Sequence, residues 1–199
     1  MKKLPSRGAK GLRRSLHFVP GGNDRMFEKA LKLPADSLIL DLEDSVTPSN
    51  KKAARDEVCN WIKEIDFENQ ECLVRINPLD TSWGLDDLQA VAEALPDGIV
   101  LPKVAKKKDV TKIDSIVGDV ERQKQIEEGS ISFVLIGTEV PEAVFNLYKM
   151  AKIPRVDAIT WGAEDLSGAL GAKAKRDSEG NYLEVFSYVR SACLLAAVA

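Results

Sequence analysis

The chain has 199 residues, 44% of them hydrophobic and 30% charged, a balance that suits one globular domain with a sizeable core and hardly two. Lys and Arg total 28 against 31 Asp and Glu, for a net charge of −3. Neither nucleic acid nor an anionic membrane surface is therefore expected as a partner.

Residues 1–14 are basic but lack an apolar stretch, so they do not read as a secretory signal. Residues 1–12 are expected to form a flexible arm, with the folded domain running from 13 to 199. No apolar run approaches the roughly 18 residues of a membrane span. The three cysteines, Cys59, Cys72 and Cys193, form no C-x-x-C pair and are odd in number. They read as reduced core residues, which points to the cytoplasm. His17 is the only histidine, which argues against a His/Cys zinc site.

From residue 15 onward, short apolar runs alternate with longer amphipathic stretches. Residues 15–19 make the first run, closed by Pro20-Gly21-Gly22, and a helix follows over about 23–33 with Asn23 as its N-cap. Residues 37–42 are the second run. A helix then opens at Pro48-Ser49-Asn50 and continues to about 65. Runs at 71–76, 98–101, 131–136 and 156–160 are each followed by a helical stretch, at 83–95, 106–128, 141–151 and 184–199 respectively. The stretch 106–128 is expected to be interrupted near Gly118. The strands read as continuous apolar runs, as strands buried on both faces do. A parallel α/β sheet covered by helices follows. No G-x-G-x-x-G or G-x-x-x-x-G-K-[ST] follows the first strand, which disfavours a dinucleotide or P-loop fold. A (β/α)8 barrel takes ~250 residues, so a TIM-type barrel would here be incomplete, with about six β/α units.

What ends each strand is more informative. Strand two carries Asp41 and ends in Glu43-Asp44, strand three carries Arg75, and strand four ends in Lys103. Strand five ends in Thr138-Glu139, and strand six in Gly162-Ala163-Glu164-Asp165. A charge at the end of a buried strand is costly unless it is paired or binds an ion. In parallel α/β folds these ends converge on one face, where sites lie. Carboxylates without His or Cys suit a hard cation such as Mg2+. Arg75 offers a bidentate grip on a substrate carboxylate. The plainer reading of single residues is capping: Asp165 at the start of a helix, Glu139 in a first helical turn. Asp41 reads as a structural partner and His17 as a hydrogen-bonded core or pocket-wall residue. Lys106-Lys107-Lys108 reads as a solvated face. Trp83 and Trp161 read as packing residues, with Trp161 near enough to line the site.

The ordered segments R-R-S-L-H-F-V-P-G-G, L-I-L-D-L-E-D-S-V, V-R-I-N-P, I-V-L-P-K-V and W-G-A-E-D-L resemble the citrate lyase beta-subunit-like proteins of the HpcH/HpaI aldolase superfamily. The resemblance runs from about Arg13 to the end. It implies a (β/α)8 barrel, Mg2+, and cleavage or formation of the bond between an acyl thioester unit and a 2-oxo acid. The thioester carrier is coenzyme A or an acyl-carrier protein. By the same resemblance Glu139 and Asp165 match the two metal ligands, and Glu43 and Asp44 the acids that hold metal-bound water. Arg75 matches the cation facing the substrate carboxylate and enolate, with Arg14 and Lys103 as secondary basic contacts. The amides of Gly162, Ala163 and Glu164 match the turn that grips the oxo-acid carboxylate.

Strand five reads I-G-T-E-V where the family often has I-E-T, and strands seven and eight have no counterpart. Two rival readings remain. One is an aldolase on free 2-oxo acids, disfavoured because Asp44 stands where that group has histidine. The other is an inactive subunit that binds metal and acyl thioester. Three expectations follow. Glu139 and Asp165 come from adjacent strand ends and face one ion. Arg75→Ala removes activity with little loss of fold. Six strands cannot close an eight-strand barrel, so the uncovered edges drive formation of a homo-oligomer.

Overall fold

The computed structural model describes residues 11–199. The expected arm, as far as residue 10, lies outside the described residues. Strand β1 (Leu16–Pro20) leads to helix α1 (Asp24–Ala30), and β2 (Ser37–Asp41) leads through a 3-10 turn at Pro48–Asn50 to α2 (Lys51–Glu64). Next come β3 (Glu71–Arg75), α3 (Gly84–Ala94), β4 (Gly98–Leu101) and α4 (Lys107–Gln123). Then follow β5 (Ser132–Ile136), α5 (Pro141–Val144), α6 (Leu147–Ala151), β6 (Val156–Thr160), α7 (Glu164–Ala169) and α8 (Glu184–Val198). The Asn23 side chain accepts from the Met26 amide, so it caps α1 as its position suggests.

The six strands form one open sheet in the order β1-β2-β3-β4-β5-β6, and every neighbouring pair is parallel. Sequential parallel order is the wall of a (β/α)8 barrel, here six units of it. Alternate residues separate two cores. Leu38, Leu40, Val74, Ile99 and Leu135 face the helices, where they meet Val58, Ile62, Val91 and Val117. Ile39, Leu73, Val100, Val134 and Ile136 face inward as a smaller cluster with Ala158. Cys59, Cys72 and Cys193 are buried, and burial pushes the Cys59 thiol up to about 11. Such thiols are inert at neutral pH.

The sheet is curved enough for one side chain to span its opening. Arg13, just before β1, donates to Glu71 on β3 at 2.6 and 2.7 Å. Its other terminal nitrogen lies 2.6 Å from Asp157 on β6. Ser37 on β2 also donates to Glu71, at 2.7 Å. The N-terminal ends of β1, β2, β3 and β6 are thus tied by one polar cluster, buried at Ser37 and Glu71 and open to solvent at Asp157.

Several expectations are corrected. Strands β2 to β5 are buried on both faces, but β6 is half-exposed and β1 largely exposed, because each is an edge strand with no neighbour on its outer side. His17 is therefore exposed and is not a core residue. Helix α4 runs unbroken through Gly118. Its buried stripe of Val110, Ile113 and Val117 outweighs the ~1 kcal/mol that glycine costs in a helix. The helix expected over 141–151 is instead two short ones. Between them Asn146 turns its side chain onto the carbonyls of Ala105 and Glu142, each at 3.1 Å. An asparagine amide that competes for backbone carbonyls in this way favours a break.

Arg14 is the correction that matters for the site. It precedes β1 and is exposed, and it donates to Asp36, which precedes β2, at 2.7 and 3.1 Å. That pairing holds Asp36 down at about 2. Both residues lie at the N-terminal ends of the strands. Arg14 is therefore at the opposite end of the sheet from the acids and is not a substrate contact.

Candidate functional site

Every other candidate residue sits where its strand ends. The apolar run carries each strand up to its C-terminal end. There the ladder stops, and the next residues turn their charges toward a common space.

Arg75 is the last residue of β3 and pairs in register with Asp41, the last residue of β2. The two form a bidentate pair, with Nε to Oδ1 at 2.7 Å and Nη2 to Oδ2 at 2.8 Å. Asp41 also accepts the amides of Glu43 (2.9 Å) and Ser45 (3.2 Å), which bends the chain after β2. Burial alone would raise the Asp41 pKa, but the Arg75 guanidinium and these hydrogen bonds outweigh it and hold the carboxyl below its usual value. Asp41 is a structural partner, as the sequence suggests.

Glu43 is buried in the same turn. Its Oε1 accepts from Lys103 Nζ at 2.7 Å. Its Oε2 lies 3.0 Å from Arg75 Nη1, yet the angle is too poor for a hydrogen bond, so this oxygen is buried without one. Burial raises the Glu43 pKa, and Lys103 and Arg75 only partly counter it. Asp44 is exposed, 3.5 Å from Arg75 and 3.9 Å from Lys103. Lys103 itself adopts a left-handed backbone (φ 53°), an unfavourable conformation for a side-chain-bearing residue. In that conformation its amide donates to Glu139 Oε2 at 2.7 Å, while its ammonium reaches Glu43 and stands 3.5 Å from Asp165.

Glu139, which follows β5, is only 3% exposed. Burial pushes its pKa up to about 8; the Lys103 amide opposes this, while Glu43 and Asp165, the latter also by hydrogen bonding, push it further up. Asp165 lies in the first turn of α7 after β6 and is not the cap of that helix, whose N-cap is Ala163. Gly162 makes room for Glu139: a Cβ there would stand 3.2 Å from Glu139 Cγ and 3.2 Å from Ile136 Cγ2. The Gly162 amide is already committed, donating to Thr138 Oγ1 at 2.8 Å. Of the expected three-amide anion turn, Gly162 is therefore removed, and Ala163 and Glu164 remain. The Glu164 carboxylate faces outward to Lys175.

The geometry gathers five carboxylates, Asp41, Glu43, Asp44, Glu139 and Asp165, around two cations, Arg75 and Lys103. Among the described residues no group of three or more His, Cys, Asp or Glu side chains converges as a ready-made metal cage. A pair of carboxylates beside a surplus of negative charge remains. That donor set fits Mg2+, which commonly takes one or two protein carboxylates and fills its other positions with water and substrate oxygens. Next to Lys103 a cavity of about 360 Å3 opens between the segments after β3 and β4, walled by Ile76, Leu79, Leu101, Val104 and Ile113. Trp161 packs edge-on against Tyr182 with ring centres 5.1 Å apart, a packing role.

Sequence reasoning missed three residues. Thr138 was noted only as a neighbour of Glu139, yet it bonds the Gly162 amide. Asn77 and Lys51 were passed over, and both lie buried directly behind the acids. The only signal for Asn77 is its place in V-R-I-N-P, and a lysine at the start of an amphipathic helix carries none.

Known proteins share both chain and fold. The chain is 32% identical over 164 residues to a (3S)-malyl-CoA thioesterase of Cereibacter sphaeroides, covering 82% of this chain and 53% of that protein. It is 36% identical over 172 residues to citrate lyase subunit beta of Escherichia coli, covering 86% of this chain and 56% of that one. It thus spans about half the length of these relatives. Among solved structures, protein CitE of Mycobacterium tuberculosis in complex with magnesium and acetoacetate superposes with a TM-score of 0.75 at 28% identity, covering 98% of this chain and 71% of that one. The same protein with magnesium, acetoacetate and coenzyme A gives 0.72 at 28% identity, covering 96% and 62%. The model of the HpcH/HpaI aldolase/citrate lyase family matches residues 14–199, and the chain belongs to that family.

Proposed function

We propose that this chain is the bulk of a Mg2+-dependent carbon–carbon lyase that cleaves a 3-hydroxyacyl thioester of the malyl, citramalyl or citryl type into an acyl thioester and a 2-oxo acid. The observation that carries the reading is the surplus of carboxylates at the strand ends, with Glu139 driven toward its neutral form by burial and by Glu43 and Asp165. A divalent cation relieves that surplus. Glu139 and Asp165 would hold it. Bound there, Mg2+ supplies Lewis acidity that makes the substrate hydroxyl more acidic and orients the scissile bond.

The remaining work falls to the chain's own groups. Arg75 is locked by Asp41 in a bidentate pair, so its charge is in place before thioester enolate charge develops, and little reorganisation is needed. Lys103 adds a second cation beside it. Glu43 and Asp44 fix both cations and line the polar side of the site. The free amides at Ala163 and Glu164 suit a carboxylate of the oxo-acid portion. The cavity beside Lys103, lined by apolar residues and by Asn77, Asp80, Asp109 and Lys112, has room for the thioester arm, carried on coenzyme A or an acyl-carrier protein. The CitE complexes, which hold magnesium with acetoacetate and in one case coenzyme A, support this choice of metal and substrate class.

The test is an assay of malyl-, citramalyl- and citryl-thioesters with and without Mg2+. Cleavage that requires Mg2+ is the expected result. Thioester and metal binding without turnover would replace this reading with an inactive binding subunit. Activity only on aldols of free 2-oxo acids would replace it with an aldolase.

The odd number of buried cysteines favours a reducing compartment, and we place the protein in the cytoplasm. No helix among the described residues is long and apolar enough to cross a membrane. Association is expected as well. Leu16 and Phe18 on edge strand β1 are exposed, as are Tyr188, Leu194, Leu195 and Val198 on α8. Covering such surfaces favours a homo-oligomer. Light scattering of the 199-residue chain at dilute concentration should give a dimer or larger; a stable monomer would refute it.

A further inference from the structure

Behind the acidic face lies a buried cation that the chemistry above does not touch. Lys51 is the first residue of α2 and is 6% exposed. Its ammonium has one acceptor for each proton: the Leu42 carbonyl at 2.8 Å, the Glu43 carbonyl at 2.6 Å and Asn77 Oδ1 at 2.8 Å. Asn77 completes the frame. Its Nδ2 donates to the Leu42 carbonyl at 2.8 Å and to Asp87 Oδ2 at 2.6 Å, and its own amide donates to that same Asp87 oxygen at 3.1 Å. Asp87 is in turn held by Arg55 Nε of α2 at 2.8 Å.

What this frame grips is specific. The carbonyls of Leu42 and Glu43 lie just past the last rung between β2 and β3, where no strand partner continues the ladder, and within the turn only the Glu43 carbonyl has a main-chain partner, the Val46 amide at 3.1 Å. Buried carbonyls need partners, and a buried ammonium needs all its protons satisfied. Lys51 and Asn77 meet both needs at one turn. From that turn the Glu43 side chain runs forward to Lys103 and Arg75. A methionine would fill the same volume without a charge to desolvate, so packing alone does not call for lysine here.

We propose that Lys51 and Asn77 are positioning residues: they clamp the main chain of Leu42 and Glu43 so that the Glu43 carboxylate meets Lys103 and Arg75, and they act on turnover only through that carboxylate. The effect on turnover rests on the lyase reading; the clamp itself does not. Misplacing a catalytic group by about 1 Å can cost about 100-fold in rate, which sets the size of the effect.

The experiment compares wild type with Lys51→Met by hydrogen–deuterium exchange and by steady-state kinetics on whichever thioester is cleaved. Val117→Ala, in the buried face of α4, serves as a control for lost stability alone. In Lys51→Met, the amides of residues 43–46 should exchange at least about tenfold faster, with the other strand ends unchanged. Turnover should fall about 100-fold while KM stays within about threefold. Val117→Ala should change neither the exchange of the turn nor the turnover. Unchanged exchange at residues 43–46 overturns the clamp. A loosened turn with normal turnover overturns the positioning role. If Lys51→Met does not fold, Lys51→Gln, which keeps a donor amide but not three protons for three acceptors, is read by the same criteria, while Asn77→Ser, at a residue that also lines the cavity, is read by exchange alone. If wild type cleaves no thioester, the lyase reading fails, and the exchange data alone decide the clamp.

Discussion

Arg75→Ala is expected to abolish thioester cleavage and to cost the fold on the order of 3–5 kcal/mol. The catalytic loss follows from removing a fixed cation where enolate charge develops, about 100- to 1000-fold or more for a single such group. The stability loss follows from what Arg75 leaves behind. Asp41 is 2% exposed and takes two of its hydrogen bonds from Arg75, and buried Glu43 lies 3.0 Å from the same guanidinium. Breaking a buried ion pair from one side strands a charge, which is where the 3–5 kcal/mol comes from. The expectation of little loss of fold, drawn from the place of the charge at a strand end, is thereby revised. Thermal or denaturant unfolding measures it. Adding Asp41→Asn to Arg75→Ala should restore part of the stability and none of the activity. A single Arg75→Ala variant as stable as wild type would show that Asp41 finds another partner, and the ion-pair account would fall.

Glu139→Gln should stabilise the metal-free protein at pH 8.5 and leave it unchanged near pH 4.5. In the folded chain this carboxyl titrates near 8 instead of its ordinary 4.5, so between those values the folded chain keeps a proton that the unfolded chain has released. The stability this group contributes is complete below pH 4.5 and is lost as pH rises through about 8. At about 1.4 kcal/mol per pKa unit the swing is on the order of 5 kcal/mol. Mg2+ competes with that proton. It should therefore raise the unfolding temperature of wild type more as pH increases from 5.5 to 8.5, and barely move that of Glu139→Gln. Scanning calorimetry at the two pH values, with and without Mg2+, reads all of this. Equal stabilisation of both proteins by Mg2+ would remove Glu139 from the metal site.

The parts of the site legible in the sequence were charges that the pattern could not otherwise explain. An arginine inside C-L-V-R-I, and acids directly after L-I-L-D-L and three residues past F-V-L-I, stand where an apolar run should be followed by a turn. Strand period and strand direction place such residues at one end of a parallel sheet without any knowledge of packing. That reasoning placed Glu43, Asp44, Arg75, Lys103, Glu139 and Asp165 at one end of the sheet, where the structure brings them together. Arg14, carried over from the resemblance alone, precedes its strand and so lies at the far end with Asp36.

By itself the sequence determined the parallel α/β class, the order of the six units and the residues that crowd their C-terminal ends, because these depend on periodicity and on the cost of burying charge, both local. Tertiary structure alone decided which charges pair. Asp41 claims Arg75, Thr138 takes the Gly162 amide, and Lys51, indistinguishable in sequence from a surface lysine, turns inward to hold the main chain behind Glu43. Partner choice depends on distances of about 3 Å between residues up to 60 positions apart, and no local pattern encodes such distances.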